Sequence, residues 1–252
     1  MQTKSLFAAI DLGSNSFRLE IGQLEAGHLR RMEYIKETVR QGNGLDSERN
    51  LSEDAMARGW ECLARFGERI ADFQPHQVRA VATQTLREAR NRDEFLARAQ
   101  ELLGFRIEVV SGHEEARLIY QGVSRLLPQS DEHRLVIDIG GRSTEMILGT
   151  GRSARQVESF AVGSVSLSMQ HFPQGTYKAE HFRSAQIAAG PYHLEAQTIF
   201  PTEAWAEANG SSRTLAVEDL PMAYGQLMSE VSGLRRRVQQ AESALKAARN
   251  RS

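Results

Sequence analysis

Two stretches of the sequence, FAAIDLGSNSFRLEIG at residues 7–22 and VIDIGGRSTEMILG at residues 136–149, decide the fold. In each, an apolar run ends at an aspartate, a short turn of small residues follows, and apolar residues then recur at every second position. This pattern predicts two β-hairpins. A constant shift of 127 positions aligns them and matches Asp11 with Asp138 and Gly13 with Gly140. A supersecondary unit repeated at so long a period indicates two duplicated lobes.

The composition is that of a globular protein large enough for two lobes, with 252 residues, 40% of them apolar and 25% charged. The net charge of -1 offers no general attraction to nucleic acids or anionic membranes, so neither is expected as a partner. Cys62 is the only cysteine, which excludes an intrachain disulfide and fits a reducing compartment. The apolar run before Asp11 is too short for a signal peptide or a membrane span, and we expect a cytoplasmic protein.

Helices and strands alternate through the rest of the chain, which predicts an α/β fold. Ser52 is the expected N-cap of a first helix, and Ser111 that of another. Between residues 53 and 127 we expect helix 53–73, strand 78–83, helix 84–103, strand 107–110 and helix 112–127. After the second hairpin we expect a strand and loop over 158–167, a helix over 179–198 that Gly190-Pro191 kinks or splits, and a short strand within 205–214. Apolar residues from Leu227 to Leu245 then recur at spacings of four and three, which is typical of a heptad stripe on a polar helix.

The two predicted turns are candidate phosphate sites. Consecutive backbone N–H groups in a turn of glycine, serine and asparagine form a concavity that binds phosphate oxygens. The aspartate before each turn is placed to hold Mg²⁺, which would neutralise the phosphate charge. The alternative is two ordinary β-turns, in which the same residue types are enriched.

Glu115, in the stretch SGHEEAR at residues 111–117, is the candidate general base. Ser111 and Glu114 have the spacing of a capping box, which explains Glu114 structurally. Glu115 instead shares a helical face with apolar Leu118 and Ile119. A carboxylate there is costly unless it faces a cleft, a metal or a partner, and it could activate a water. The alternative is a surface glutamate at a lobe boundary, paired with an arginine.

Two further residues are candidates on position alone. Glu145 follows the second turn and could form a Mg²⁺-binding or water-positioning pair with Asp138; the alternative is an exposed strand residue. Arg87 begins a helix after a strand, where anions bind, and could reach a phosphate. The alternative there is helix capping by Thr83 or Thr85. The seven histidines show no clustering of the kind that binds zinc.

At these residues the sequence resembles the exopolyphosphatase/guanosine pentaphosphate phosphohydrolase family. The resemblance covers about residues 7–214 and is carried by the ordered motifs AAIDLGSNSFRL, LSEDAMARG, VATQTLREARN, EVVSGHEEARLIYQGV, LVIDIGGRSTEMILG and VESFAVGSVSL, and more weakly by ANGSSRT. It implies an actin-like, sugar-kinase-like fold of two ribonuclease-H-like lobes with the active site between them. It also implies Mg²⁺-dependent hydrolysis of the terminal phosphate of inorganic polyphosphate or of guanosine pentaphosphate.

The resemblance also implies roles for individual residues. Glu115 matches the general base, Arg87 matches an arginine of the phosphate channel, and Asp138 and Glu145 match acidic residues that position metal and water. The two phosphate loops correspond to Gly13, Ser14, Asn15 and Ser16 in the first turn and to Gly140, Gly141, Ser143 and Thr144 in the second.

Three departures from the family pattern bear on function. Arg142 replaces a third glycine of the second loop, where it could block the phosphate site or supply a cation to it. Arg213 replaces a glycine of a later turn. The chain also ends earlier than family members do, which gives expected boundaries of 1–127 for the first lobe, 128–220 for a shortened second lobe and 221–252 for the heptad helix. That helix either packs on the body as a single helix or forms a homodimeric coiled coil.

Three functions follow from these features. The first is an active phosphohydrolase. The second is a non-catalytic relic that binds polyphosphate or nucleotide, motivated by Arg142, Arg213 and the early end. The third is a sugar or acetate kinase on the same fold, against which the Ser-Gly-x-Glu-Glu-Ala stretch argues.

Overall fold

A computed structural model of the chain describes residues 5–25, 28–128, 131–172 and 176–200. The strand expected within 205–214, the turn that contains Arg213 and the heptad helix expected over 221–252 lie outside these residues. Both hairpins belong to one compact unit, Met1–Phe200.

The first sheet has five strands in the order β3-β2-β1-β4-β5. Strands β1, β2 and β3 are antiparallel, whereas β4 and β5 run parallel to β1. This is the mixed sheet expected of a ribonuclease-H-like lobe. The strand bounds are Ser5–Leu12 for β1, Ser16–Glu25 for β2, His28–Thr38 for β3, Val78–Ala82 for β4 and Ile107–Val109 for β5.

Helices α1 (Glu53–Ile70), α2 (Gln84–Glu88) and α3 (Arg92–Leu103) cover this sheet, and two short 3-10 helices span Gln41–Gly44 and Pro75–Gln77. Ser52 is the N-cap of α1 as expected, because its hydroxyl accepts a hydrogen bond from the Ala55 N–H. The core between the helices and the sheet contains fully buried Phe17, Leu63 and Phe66.

The single helix expected over 84–103 is wrong, because α2 and α3 are separate. Ala89 has an extended backbone, and the Arg90 N–H donates to the Arg49 carbonyl, in the loop that precedes Leu51. Asn91 then makes two hydrogen bonds to the Leu51 backbone, from its amide nitrogen at 3.0 Å and to its amide oxygen at 2.8 Å. These tertiary bonds replace the helical bonds that the local pattern favours.

The second sheet has three antiparallel strands in the order β6-β7-β8, formed by His133–Ile139, Thr144–Thr150 and Ser153–Phe160. Helix α4 (Gly112–Leu126) packs on it through a small core in which Ala116, Tyr120 and Ile147 are buried. The expected lobe boundary at residue 127 would assign α4 to the first lobe, yet α4 packs on the second sheet.

Two more helices follow β8. Helix α5 (Ser164–His171) lies where we expected a loop, since the stretch SVSLSMQH has too many hydroxyl residues to show a helical pattern. Helix α6 (Ala179–Ile199) runs through Pro191 without splitting. Within the described part of the chain, no helix combines the length and the apolar character that crossing a membrane requires.

The 127-residue repeat predicted from the sequence is confirmed by strand pairing. Asp11 lies opposite Arg18 in the first hairpin, and Asp138 lies opposite Glu145 in the second. Both outgoing strands shift register next to an equivalent glycine, between Ile21 and Gly22 in β2 and between Leu148 and Gly149 in β7. A Cβ atom on Gly13 or Gly140 would lie 3.0 Å from the carbonyl oxygen of the residue three positions later in both turns. The two turns therefore require glycine for the same close backbone approach.

Candidate active site

The two repeated aspartates have different environments. Asp11 accepts a hydrogen bond from Arg18, its cross-strand neighbour, with Nη1 2.6 Å from Oδ2. Burial nevertheless raises the pKa of Asp11; Arg18 opposes this rise and the Asp138 carboxylate adds to it. Asp138 faces Glu145 where Asp11 faces an arginine. The first hairpin thus carries its own counter-cation, whereas the second places two carboxylates opposite each other.

Glu145 is buried on the inner face of β7, with only 1% of the residue exposed. The alternative that it is an exposed strand residue is therefore wrong. The Ser159 hydroxyl donates to its Oε1 at 2.8 Å. Burial raises the pKa of Glu145, while hydrogen bonds from Ser159 and Ser143 and the charge of Arg87 oppose the rise. A buried carboxylate held in this way is suited to bind a cation or a water molecule.

Glu115 lies in the first turn of α4, immediately after the Ser111 N-cap, whose hydroxyl accepts from the Glu114 N–H at 3.1 Å. Its side chain is 15% exposed and pairs with Arg87, with Nη1 2.7 Å from Oε2. Burial and the nearby Glu145 raise the pKa of Glu115 to about 7, although Arg87 lowers it. An arginine does pair with Glu115, but the pair is largely buried. A carboxylate with this pKa is suited to accept a proton near neutral pH.

Arg87 is directed at Glu115 and at the backbone. Its Nε and Nη2 atoms donate to the Gln84 side-chain oxygen at 3.0 and 2.6 Å, and Nη1 also donates to the Val110 carbonyl at 3.0 Å. Thr83 is the N-cap residue of α2, but its hydroxyl makes no capping hydrogen bond. Among the described residues the buried Thr85 hydroxyl has no partner either, so capping by the hydroxyl of Thr83 or Thr85 is wrong. Contact of Arg87 with a phosphate stays a prediction.

The first turn has buried side chains on both sides of an exposed tip. Ser14 and Ser16 are buried, whereas Asn15 is exposed. The carbonyls of Ser14 and Asn15 accept from the Gly42 and Arg40 N–H groups. These two bonds therefore hold the turn through its carbonyl groups.

The second turn abuts the first, since a Cβ atom on Gly141 would lie 3.2 Å from the Ser14 Cβ. The first N–H groups of α5, including those of Ser164 and Val165, donate to the Gly140 and Gly141 carbonyls at 2.8–3.0 Å. The Thr144 hydroxyl donates to the Val162 carbonyl at 2.7 Å. All candidate phosphate-binding residues therefore lie on two adjacent turns or beside them, and phosphate binding there stays a prediction.

The donor set of the site is made of carboxylate oxygens, which suits a hard divalent cation. Each of Asp11, Glu115 and Glu145 has a pKa raised by burial and by another carboxylate of the site, so negative charge is concentrated there. No group of three or more histidine, cysteine or acidic side chains within the described ranges has the geometry of a metal site. Mg²⁺ commonly uses only one or two carboxylates together with substrate phosphates, and the pair Asp138 and Glu145 fits that mode.

Sequence reasoning missed two partners in the site. Arg18 could have been found, since a hairpin with the turn at residues 13–15 pairs it with Asp11 across the strands. Ser159 carried no signal, because it reaches Glu145 from β8 through the tertiary fold alone.

Comparison with known proteins identifies relatives of this chain. The sequence profile of the Ppx/GppA phosphatase family matches residues 21–246. Among solved structures, the chain is similar to an exopolyphosphatase-like protein with 28% identity and a TM-score of 0.73, over 79% of this chain and 63% of the other. It is also similar to the PPX-GPPA enzyme of Aquifex aeolicus, with 30% identity and a TM-score of 0.63 over 78% of this chain and 64% of the other. An exopolyphosphatase from Cytophaga hutchinsonii matches with 25% identity and a TM-score of 0.67 over 77% of this chain and 63% of the other.

The chain spans less than two thirds of the length of these three relatives. The α/β fold expected from the sequence is confirmed, with one mixed and one antiparallel sheet.

Proposed function

Because this chain belongs to the Ppx/GppA phosphatase family, we propose that it is a phosphohydrolase that releases the terminal phosphate of inorganic polyphosphate or of guanosine pentaphosphate. The observation that carries the proposal is the environment of Glu115. Its carboxylate is largely buried, is held by Arg87 and has a pKa raised to about 7. A general base whose pKa lies near the working pH is the group that water attack on a phosphoric anhydride requires.

In the proposed reaction, Glu115 takes a proton from the attacking water. Arg87 holds the carboxylate with Nη1 at 2.7 Å from Oε2, so that the other oxygen, Oε1, is the one left to accept that proton. Glu145 would help to orient the water, since the Ser159 hydroxyl fixes one of its carboxylate oxygens at 2.8 Å. The bond between the water oxygen and phosphorus forms as the bridging P–O bond breaks, and the shortened chain leaves with the bridging oxygen.

The two turns would bind the phosphate chain, with the N–H groups of Gly13 to Ser16 on one side and those of Gly141, Ser143 and Thr144 on the other. The Gly140 N–H is not among these donors, because it donates to the Ser143 carbonyl at 2.9 Å within the turn. Mg²⁺, held by Asp138 and Glu145, would neutralise charge on the phosphate oxygens. The pairing of Asp11 with Arg18 supports this division of roles, because it leaves the second hairpin as the more acidic of the two.

The location and organisation of the protein belong to the same proposal. A cytoplasmic enzyme is supported by the single thiol, which is buried and has no partner cysteine in the sequence. The boundary at residue 220 and a homodimer formed through the region 221–252 are proposed from the sequence pattern alone. The packing of α4 on the second sheet favours a first boundary before Gly112 instead of one at residue 127.

Glu114 provides a matched control for the test, because it is adjacent, has the same charge and is more exposed, with a side chain 40% accessible beside Arg79. Purified protein should release phosphate from polyphosphate or guanosine pentaphosphate, with Mg²⁺ stimulating release. Glu115→Gln should lower kcat by at least about 10²-fold, and Glu114→Gln should leave it within about twofold. Release unchanged in Glu115→Gln, or no release by wild type on either substrate, would overturn the proposal.

A second candidate, binding of polyphosphate or nucleotide without turnover, is motivated by Arg142 in the second turn. In the structure the Arg142 side chain is paired with Glu88 at 2.8 Å and so is not a free cation for phosphate. The two candidates separate in one experiment, since a relic would bind polyphosphate in calorimetry with no phosphate released, in wild type and in Arg142→Gly alike.

A further inference from the structure

Arg142 lies at the tip of the second turn, where the repeat places Asn15 in the first. Asn15 is exposed, whereas the Arg142 side chain is only 19% exposed. The Arg142 side chain extends from the second sheet to the 3-10 helix Gln41–Gly44 and to α2, which belong to the first lobe. Its Nη1 donates to the Gly42 carbonyl at 3.1 Å, and its Nη2 donates to Glu88 at 2.8 Å.

The fit of Arg142 against the first lobe is close. A Cβ atom on Gly42 would lie 2.9 Å from the Arg142 Cδ and 3.1 Å from the Ser14 carbonyl. Glycine at position 42 therefore provides the space in which the arginine stem lies beside the first turn. Glu88 is as protected as its partner, with a side chain 18% exposed. The pair thus has a fixed geometry and little access to solvent.

Hydrogen bonds continue from this pair to Glu115. The Gln84 amide nitrogen donates to Glu88, and its amide oxygen accepts from Nε and Nη2 of Arg87. A carboxylate only accepts and a guanidinium only donates, so the chain fixes the orientation of the Gln84 amide. Arg87 in turn donates to Glu115 at 2.7 Å. The connection runs from Arg142 through Glu88, Gln84 and Arg87 to Glu115, with charges that alternate along it.

We propose that Arg142 is a positioning residue for Glu115: by neutralising Glu88, it leaves the Arg87 guanidinium fixed on Glu115. The inference rests on the proposed function for its catalytic consequence, but not for its structural one. Without Arg142, Glu88 is a largely buried carboxylate with no cation, and Arg87 is the cation to which it is joined through Gln84. Arg87 is then shared between Glu88 and Glu115, and Glu115 loses its fixed orientation.

The structural part can be tested without any substrate, by thermal unfolding. Arg142→Met and Arg87→Met do not remove a common contact, yet the connection requires their effects to be coupled. In the double variant both carboxylates lose their cations. The decrease in Tm should therefore exceed the sum of the two single decreases by about 2 °C or more. Adding Glu88→Gln should abolish that excess. Decreases that are simply additive would overturn the proposal. If Arg87→Met does not fold, Arg87→Gln takes its place with the same expectation.

The catalytic part is tested by phosphate release from polyphosphate. Arg142→Met should lower kcat about tenfold with KM within twofold, because the base and not substrate binding is affected. The variant Arg142→Met/Glu88→Gln should recover kcat to within about threefold of wild type, since a neutral glutamine no longer attracts Arg87. The matched control is Arg152→Met, at an exposed arginine in the turn between β7 and β8.

Each other outcome has a distinct meaning. A fall in kcat that Glu88→Gln does not reverse would show that Arg142 only joins the two sheets, and it would overturn the proposal. A raised KM with unchanged kcat would make Arg142 a substrate contact and would overturn it as well. If wild type releases no phosphate from polyphosphate or guanosine pentaphosphate, the proposed function fails, and the unfolding measurements alone support or overturn the role of Arg142.

Discussion

Replacing Glu115 with glutamine should make the protein more stable at alkaline pH while removing its activity. The carboxylate is largely buried, and its pKa rises from the ordinary 4.5 to about 7. The folded protein therefore binds the Glu115 proton more tightly than the unfolded chain does. That proton stabilises the fold fully below pH 4.5, and this contribution is lost as the pH rises through about 7. Glutamine has the shape of the protonated side chain and cannot ionise.

The size of the effect follows from the rise in pKa. Each pKa unit corresponds to about 1.4 kcal/mol, so the cost of the Glu115 charge in the folded state at pH 8 is about 3 kcal/mol at most. Arg87 keeps its bonds to Gln84 and to the Val110 carbonyl in the variant, so its charge stays hydrogen-bonded. We expect Glu115→Gln to raise Tm by about 5–10 °C at pH 8 and by less than about 3 °C at pH 5.

The assay is thermal or urea unfolding of wild type and variant at pH 5, 6.5 and 8 in a chelating buffer. Glu114→Gln is the control and should show a pH-independent difference from wild type of less than about 0.5 kcal/mol, because Glu114 is more exposed. A Glu115→Gln variant that is less stable than wild type at pH 8 would refute the reasoning. In that case the Arg87 pair would outweigh burial, and the pKa of Glu115 would lie below 4.5.

Three further predictions concern residues outside the site. Gln41→Leu should raise the free energy of unfolding by about 1–2 kcal/mol in urea, because the fully buried Gln41 side chain has no hydrogen-bond partner for either amide atom among the described residues; a loss of stability would mean that the amide is satisfied after all. Cys62 should resist a thiol reagent at pH 8 in the native protein and react after unfolding, because burial raises its pKa to about 12; labelling of the native protein at the rate of a free thiol would contradict this. Asn91→Ala should cost about 2 kcal/mol through its two bonds to Leu51 and leave kcat within twofold; a changed kcat with unchanged stability would place Asn91 in the site instead.

The hairpins were predictable because they depend on local chemistry. A strand that ends in aspartate, a turn of small residues and an alternating strand can be recognised without tertiary information, and the repeat makes each hairpin evidence for the other. The same logic extends to the cross-strand partners of Asp11 and Asp138, since strand pairing follows from the turn. What local patterns could not show is where a helix yields to a tertiary bond, as between α2 and α3. The bonds of Asn91 to Leu51 join residues 40 positions apart.

The identity of several candidate site residues could be predicted from the sequence, but their burial and their contacts with one another could not. Glu115 was recognisable as a carboxylate on an apolar helical face, and the structure places it beside Arg87. The burial of Glu145 was not, because alternation along β7 leaves open which face is covered until α4 is packed on the sheet. The role of Arg142 was also uncertain, because its contacts depend on how the two sheets pack together. A single arginine in a turn can block, bind or brace, and only its distance from Glu88 distinguishes these roles.

The repeat also explains why two similar hairpins would divide the work of one site. Equivalent positions carry arginine in the first hairpin and glutamate in the second, at Arg18 and Glu145. The aspartate of the first is neutralised within its own hairpin, at an N–O distance of 2.6 Å, and is left to shape the turn. The aspartate of the second has a carboxylate opposite it, and the charge of Asp138 contributes to the raised pKa of Glu145. The difference between Arg18 and Glu145 thus gives the two hairpins opposite charges at equivalent positions, and the second places a buried carboxylate, 1% exposed, across from its aspartate.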